Sequence, residues 1–304
     1  MTEQYLMSPD RQPSLAGVER AAEKIAAILP ATPLLPLDVD GKTIWCKAEC
    51  LQPIGAFKIR GGWHRLTDLT DEQRSRGVVA FSSGNHAQGV AWAARKLGVH
   101  ATIIMPEDAP QAKLENTRAL GADIITYDRM SGSREQLAAD FAEKTGAVVV
   151  PSFDDPWIVE GQVSCGGGGL ASGTALANPD ARMVVVEPEG WDDMKRSLEL
   201  GTIVPVDKNP PATECDALQT MQVAQITFDI LRDRNALGLS VSRDAVHHAM
   251  RVAFEKLHLV VEPGGAVALA AILAGKVALT DRTAITLSGG NVDRQLFANI
   301  IAEN

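Results

Sequence analysis

Lys58 stands in "ECLQPIGAFKIRGG" (Glu49–Gly62), a stretch crowded with Pro and Gly, directly after Phe57 and two residues before Arg60. Most lysines are solvated surface charges. A lysine held against an aromatic ring and away from water has a depressed pKa and can bond a carbonyl carbon as a Schiff base, provided the protein also holds the carbonyl compound. Four other stretches offer small or neutral hydrogen-bonding groups to which an anion can come close: "SSGNH" (Ser82–His86), "CGGGGL" (Cys165–Leu170), "EPEGWDD" (Glu187–Asp193) and "SGGN" (Ser288–Asn291). The run Gly166, Gly167, Gly168, Gly169 lets several backbone N–H groups converge. A helix-like "ASGTALA" follows at once, so its dipole adds attraction for a phosphate. A mobile linker is the plainer reading of four glycines, and the apolar residues that follow argue against it.

A second chemistry fits part of the same stretch. Gly166, Gly168 and Ala171 match G-x-G-x-x-A, and Glu187 ends a strand-like run where a dinucleotide-binding fold places its ribose-binding acid, as in an NAD-dependent oxidoreductase. That short fingerprint arises easily among glycines and leaves Lys58, "SSGNH" and "SGGN" without roles.

The elements that must position these residues alternate. "VVAFSS", "ATIIMP", "DIITYD", "AVVVP", "MVVVEP" and "TAITLSGG" read as buried strands; Ala87–Leu97, Gln111–Leu120 and Arg134–Lys144 read as amphipathic helices. This predicts an α/β fold with mainly parallel sheets, whose ligands gather beyond the carboxyl ends of the strands. Three of the candidate stretches follow such runs directly.

A chain of 304 residues with 45% hydrophobic content can bury a core of one large or two packed domains. Its formal net charge of -9, with no run of Lys and Arg, argues against a nucleic-acid backbone and for a small molecule as partner. Cys46, Cys50, Cys165 and Cys215 show no zinc spacing and read as reduced thiols of a cytoplasmic protein. "MTEQYLMSPDRQPS" lacks a signal-peptide core, and Val260–Leu279 carries Glu262, Pro263 and Lys276, which argues against a membrane span.

Taken in order, "KAECLQPIGAFKIRGG", "SSGNH", "GGGGL", "EPEGWDD", "VEPGGAVALAA" and "SGGNVD" resemble the pyridoxal-phosphate enzymes of the tryptophan-synthase-β-like fold, and within them the serine/threonine dehydratase and serine racemase branch. The resemblance covers nearly the whole chain. It implies fold type II: a large cofactor domain, 1–76 with 151–304, and a small mobile domain, 77–150, each with a mainly parallel sheet flanked by helices. It also implies a homodimer.

Carried over residue by residue, Lys58 would bond the cofactor and Phe57 would pack beside its ring. Asn85 would meet the ring hydroxyl, and Gly166, Gly167, Gly168, Gly169 and Leu170 would cradle the phosphate. Ser288 would face the pyridine nitrogen with a neutral hydroxyl, which does not enforce a protonated ring. Ser82, Ser83, Asn85 and His86 would bind the substrate carboxylate. Ser83 also matches the opposite-face acid/base of the racemases. Glu187, Trp191 and Asp193 would form a site for Mg2+ or Ca2+, Trp191 through its carbonyl; a pair of exposed acids is the plainer reading.

The implied reaction is dehydration and deamination of a small β-hydroxy amino acid, L-threonine or L-serine, to a 2-oxo acid and ammonia. A serine racemase, a 3-hydroxyaspartate ammonia-lyase and a non-catalytic pyridoxal-phosphate-binding protein are the alternatives within the resemblance. Arg134, in "SGSRE", is a candidate for a second substrate carboxylate, or else a surface cap of the following helix.

The chain departs from the pattern at Ala56, where the family has Ser, and at Ala217, where it has Gly. A larger departure is length. The resemblance implies a helix and most of a strand between Gln162 and Val163, where "VEGQ" runs straight into "VSCGGGG". A crossover between parallel strands needs about a dozen residues, so the expectation is a break: Gln162 and Val163 Cα atoms well beyond the roughly 3.8 Å of a trans peptide.

Overall fold

The structure, a computed structural model, describes residues 11–82, 84–109, 111–128, 133–162 and 168–303. Ser14, whose side chain accepts from the Gly17 N–H, starts α1 (Leu15–Ala26). Strands β1 (Leu34–Val39) and β2 (Lys42–Ala48) follow. The two residues between them, Asp40 and Gly41, both have positive φ (52° and 74°), so the Asp-Gly pair closes a tight hairpin.

Helix α2 (Lys58–Thr67) begins at the lysine itself, and Thr70 caps α3 (Asp71–Arg76) through a reciprocal pair with Gln73. Strands and helices then alternate: β3 (Val78–Phe81), α4 (Asn85–Leu97), β4 (Ala101–Pro106), α5 (Gln111–Ala119), β5 (Asp123–Tyr127), α6 (Arg134–Thr145), β6 (Val148–Val149) and α7 (Pro156–Gly161). The chain continues through α8 (Gly169–Ala177), β7 (Val184–Pro188), α9 (Asp193–Leu200), α10 (Gln225–Asp233), β8 (Leu237–Val241), α11 (Arg243–Leu257), α12 (Pro263–Leu273), β9 (Ala284–Leu287) and α13 (Arg294–Ala302).

Contacts divide the chain into two units, one joining the chain up to Leu29 with Lys58–Gln162, the other joining Pro30–Phe57 with the chain from Val163 onward. The expected small domain, 77–150, lies inside the first unit, which also takes in α1, α2 and α7.

The first unit holds a four-stranded, all-parallel sheet in the order β5-β4-β3-β6. Every residue of β3 and β4 is buried, which explains why these runs read as continuously apolar. From β3 the chain steps outward to β4 and β5, then returns to the other side of β3 as β6. The strand order therefore reverses at β3, and a doubly wound sheet binds ligands beyond the carboxyl ends at such a point. Helix α2 is brought close to α4 by glycines: a Cβ on Gly62 would lie 2.7 Å from the Gly89 carbonyl oxygen, and one on Gly89 would lie 2.7 Å from that of Lys58. The glycines that crowd the sequence around Lys58 thus set its height against α4.

In the second unit β1 pairs antiparallel with β2, and β2 parallel with β9, while β7 and β8 form a separate parallel pair. Helix α12 packs against β9, β7 and β8. One core joins all of them, with Ile44, Cys46, Val186, Val241, Leu269 and Leu287 in a single buried cluster. Among the described residues β7 and β9 share one covering helix and one core, yet no strand hydrogen bonds them. The expected break between Gln162 and Val163 lies outside the described residues at its Val163 end. Among the described residues, no helix is long and apolar enough to cross a membrane.

Candidate active site

At the strand-order reversal of the first unit, Lys58 is half-buried as a residue while its ε-amine is enclosed by protein. Nζ donates to the Ser152 carbonyl oxygen at 2.7 Å and, more weakly, to Gln162 Oε1 at 3.5 Å. Burial penalises the ammonium form and brings the pKa down to about 7.

His86, buried on the first turn of α4, points Nε2 at the Val150 carbonyl oxygen, 2.8 Å away, just past β6. A carbonyl accepts only, so Nε2 carries the proton. Burial, helped by the nearby Lys58, pushes the ring's pKa down to about 3, so His86 is neutral at ordinary pH. Its Nδ1 is buried without a partner among the described residues. Asn85 is buried beside it as the first residue of α4, and Ser82 Oγ accepts from the Gly84 N–H at 3.2 Å. No side chain caps α4 at Gly84, so its first-turn N–H groups face the strand ends as an anion site. Ser83 lies outside the described residues.

In the second unit Ser288 is buried immediately after β9, and Phe57, also buried, donates its N–H to the Ser288 carbonyl. Ala56, where the family pattern has Ser, is fully buried in a bridge with Gly289. Gly166 and Gly167 lie outside the described residues. Gly168 has φ +80°, and a Cβ there would stand 2.7 Å from Thr227 Oγ1, so both conformation and space demand glycine. Gly169 and Leu170 open α8, whose N-terminus has no side-chain cap either. Each unit by itself offers part of what a carbonyl compound with a phosphate needs: the first an enclosed amine with a lowered pKa, the second a glycine-bounded, uncapped helix start.

Glu187, near the end of β7, accepts from the backbone N–H groups of Met194 (3.1 Å) and Lys195 (2.9 Å). It thereby caps α9, whose own N-cap residue, Asp192, makes no side-chain capping bond. Asp193 is buried against it, with Oδ2 lacking any partner among the described residues. Burial raises the pKa of both carboxyls, and the Asp193 charge adds to the rise at Glu187. Two buried carboxyls in contact with an orphaned oxygen suit a hard divalent cation. Trp191, in the turn between them, donates Nε1 to the Pro211 carbonyl at 2.7 Å. The alternative to a metal site, a pair of exposed acids, does not hold, since both Glu187 and Asp193 are buried.

An enclosed amine and a glycine-bounded, uncapped helix start are the kinds of group that a carbonyl cofactor with a phosphate requires. The model of the pyridoxal-phosphate-dependent enzyme family matches residues 27–167 and 162–289, and the chain belongs to that family. It is 40% identical over 315 residues to an L-threo-3-hydroxyaspartate ammonia-lyase of Pseudomonas sp, covering 95% of this chain and 98% of that protein. The maize serine racemase structure superposes with a TM-score of 0.89 at 34% identity, covering 95% of this chain and 97% of that one. The threonine deaminase structure from T.th. gives 0.85 at 39% identity, covering 92% and 99%. The protein is a fold-type II pyridoxal-phosphate enzyme of the ammonia-lyase type.

The family match falls into two pieces that meet at 162–167, and the Pseudomonas alignment, at 315 positions, is longer than the 304 residues of this chain. An alignment longer than the chain contains gaps on this chain's side, and the two family pieces divide beside Gln162, where the sequence spacing raises the expectation of a break. The residues that sequence reasoning missed are Ser152 and Gln162. Ser152 acts through its backbone, which no side-chain pattern reports. Gln162 is the last described residue before Val163, and only its position in "VEGQ" marks it in the sequence.

Proposed function

We propose that this enzyme deaminates a small β-hydroxy amino acid, L-threonine or L-serine, to a 2-oxo acid and ammonia, the water lost from Cα and Cβ being taken up again on hydrolysis of the enamine, with Lys58 as both the cofactor lysine and the base at Cα. The observation that carries this reading is the Lys58 amine, enclosed at the strand-order reversal with a pKa of about 7 beside a neutral His86. Pyridoxal phosphate, when bound, supplies the electron sink for breaking the Cα–H and Cβ–O bonds.

The residues of the chain do the rest. Lys58 is part neutral at neutral pH and can take a proton at Nζ, the condition for efficient general-base work. The uncapped start of α4, with Ser82, Ser83 and Asn85, receives the substrate carboxylate, and His86 adds no competing charge. Phe57 would pack beside the ring of the bound cofactor, and Gly166 to Leu170 would hold its phosphate. Ser288 would offer the pyridine nitrogen a neutral hydroxyl, which does not enforce a protonated ring and suits prompt loss of the β-hydroxyl. Ser83 would serve as proton donor from the opposite face if racemisation accompanies elimination. Glu187, Asp193 and the Trp191 carbonyl hold Mg2+ or Ca2+ and support the fold of the second unit. A homodimer acting in the cytoplasm is the form we propose.

A specific observation favours a second substrate. The Arg134 guanidinium lies 5.8 Å from the Phe81 ring centroid, and Phe81 immediately precedes Ser82. A cation at that place can meet a second substrate carboxylate, and the Pseudomonas relative is named for 3-hydroxyaspartate. A panel of L-Thr, L-Ser, D-Ser and the hydroxyaspartate diastereomers, assayed for oxo acid, ammonia and inverted amino acid together, separates these readings. Release of oxo acid and ammonia supports elimination, and inversion alone refutes it. Loss of hydroxyaspartate turnover in Arg134→Ala, with L-Ser turnover kept, supports the second substrate.

A further inference from the structure

Two of the acceptors around the Lys58 amine, the Ser152 carbonyl and Gln162 Oε1, are uncharged, and they are held firmly in place. Gln162 is fully buried; its Nε2 donates to the same Ser152 carbonyl oxygen, at 3.2 Å, that receives the Lys58 amine, so its Oε1 is the atom turned toward Nζ. Its position is set by two glycines. A Cβ on Gly61, one turn along α2 from Lys58, would lie 2.8 Å from Gln162 Cγ, and one on Gly161 would lie 2.8 Å from Gly61 Cα. Helices α2 and α7 therefore meet backbone to backbone at the point where Gln162 reaches Lys58.

Helix α7 is pinned in turn. Asp155 caps it through the Ile158 N–H and pairs with Arg65 at 2.9 Å, while Glu160, on its last turn, is bound by Arg11, the Ser14 N–H and His64.

We infer that Gln162 and the Ser152 carbonyl are positioning groups for the cofactor lysine: they take two of its N–H bonds in its detached state and leave its lone pair directed away from α7. The inference rests on the assignment of Lys58 proposed above. Its physical logic is the choice of acceptor. A carboxylate at the same distance would stabilise the ammonium form and keep the amine protonated, whereas an amide and a peptide oxygen orient the amine without adding charge. Several charged neighbours on these elements have partners or environments of their own. Asp155 and Glu160 face their own cations, His86 on α4 is neutral, and the carboxyl pKa of Asp154 is raised by burial and by Asp155. Burial is accordingly the cause resolved for the lowered Lys58 pKa.

The test uses the intact chain freed of cofactor, with Gln162→Glu and the similarly sized Gln162→Met. The rate of cofactor recombination with pyridoxal phosphate is followed against pH, and borohydride reduction with peptide mapping identifies the lysine labelled. In the parent the recombination midpoint should fall near 7. Gln162→Glu should move it up by at least one unit, slowing recombination at pH 7 about fivefold or more while preserving the alkaline plateau. Gln162→Met should leave the midpoint in place and lower the plateau several-fold. The inference is overturned if Gln162→Met recombines at the parent's rate across the pH range, whatever Gln162→Glu does. A parent label on another lysine would instead remove the Lys58 assignment itself, so the two failures are distinct.

Discussion

The backbone N–H of Phe57 donates to the carbonyl oxygen of Ser288 at 3.1 Å, and the neighbouring Ala56 and Gly289 form a bridge. The segment that leads into Lys58 is thus tied to the strand end that carries the hydroxyl proposed for the pyridine nitrogen. Two motifs 230 residues apart in the sequence share one stretch of hydrogen-bonded backbone, and the first prediction concerns the side chain that this stretch delivers.

Lys58→Ala should fold, shown by an unchanged far-ultraviolet spectrum, and should lack the visible absorption of covalently held cofactor. After borohydride reduction, the parent should carry its label at Lys58. A borohydride-stable label in Lys58→Ala would contradict the assignment.

The cofactor-free protein should gain stability relative to Lys58→Met as the pH rises. The amine titrates at about 7 when folded against an ordinary 10.5. Below about 7 it is protonated in both states and the full burial penalty applies. Between the two values the unfolded chain binds more protons, so the penalty falls away with rising pH, by about 1.4 kcal/mol for each unit of pKa displacement relieved. Urea denaturation should therefore show Lys58→Met ahead of the parent by a wider margin at pH 6 than at pH 9.5. Equal margins would contradict the lowered pKa.

Mg2+ or Ca2+ should raise the Tm of the parent and leave that of Asp193→Ala unmoved. A cation that binds only the folded state stabilises it by roughly 2.7 kcal/mol at a hundredfold excess over its Kd. The orphaned Asp193 Oδ2 is the atom that gains most. Identical shifts in both proteins would exclude the site.

Gly62→Ala should destabilise the first unit by about 1–3 kcal/mol, the usual cost of overpacking, because its Cβ would meet the Gly89 carbonyl oxygen at 2.7 Å. Since the same contact sets Lys58 against α4, cofactor attachment should weaken as well. A variant with the parent's Tm and affinity would show that the helices separate without cost.

Insertion between Gln162 and Val163 of a helix and strand of about a dozen residues, the length of an ordinary parallel crossover, should tighten cofactor binding and raise Tm. The motivation is structural: β7 and β9 lie under the same helix, α12, without bonding to each other among the described residues. Unpaired edges inside a core leave backbone groups to be satisfied. An insertion that changes neither quantity would mean that the second unit closes on its own.

The amino-acid sequence by itself determined the α/β alternation, because buried parallel strands such as "VVAF" and "ATIIMP" must be continuously apolar. It also determined the lysine, glycine and serine motifs, because their chemistry depends on residue type and order. Only the tertiary structure decided that Glu187 and Asp193 are buried together, since charged side chains give no sequence sign of burial. It alone decided that His86 is neutral, because the carbonyl that accepts its proton comes from Val150, at the far end of a different strand. The acceptors of Lys58 were invisible for the same reason: one is a backbone oxygen at Ser152, and the other, Gln162, reaches the lysine because Gly61 and Gly161 let two helices touch, a contact between residues 100 positions apart that no local pattern encodes.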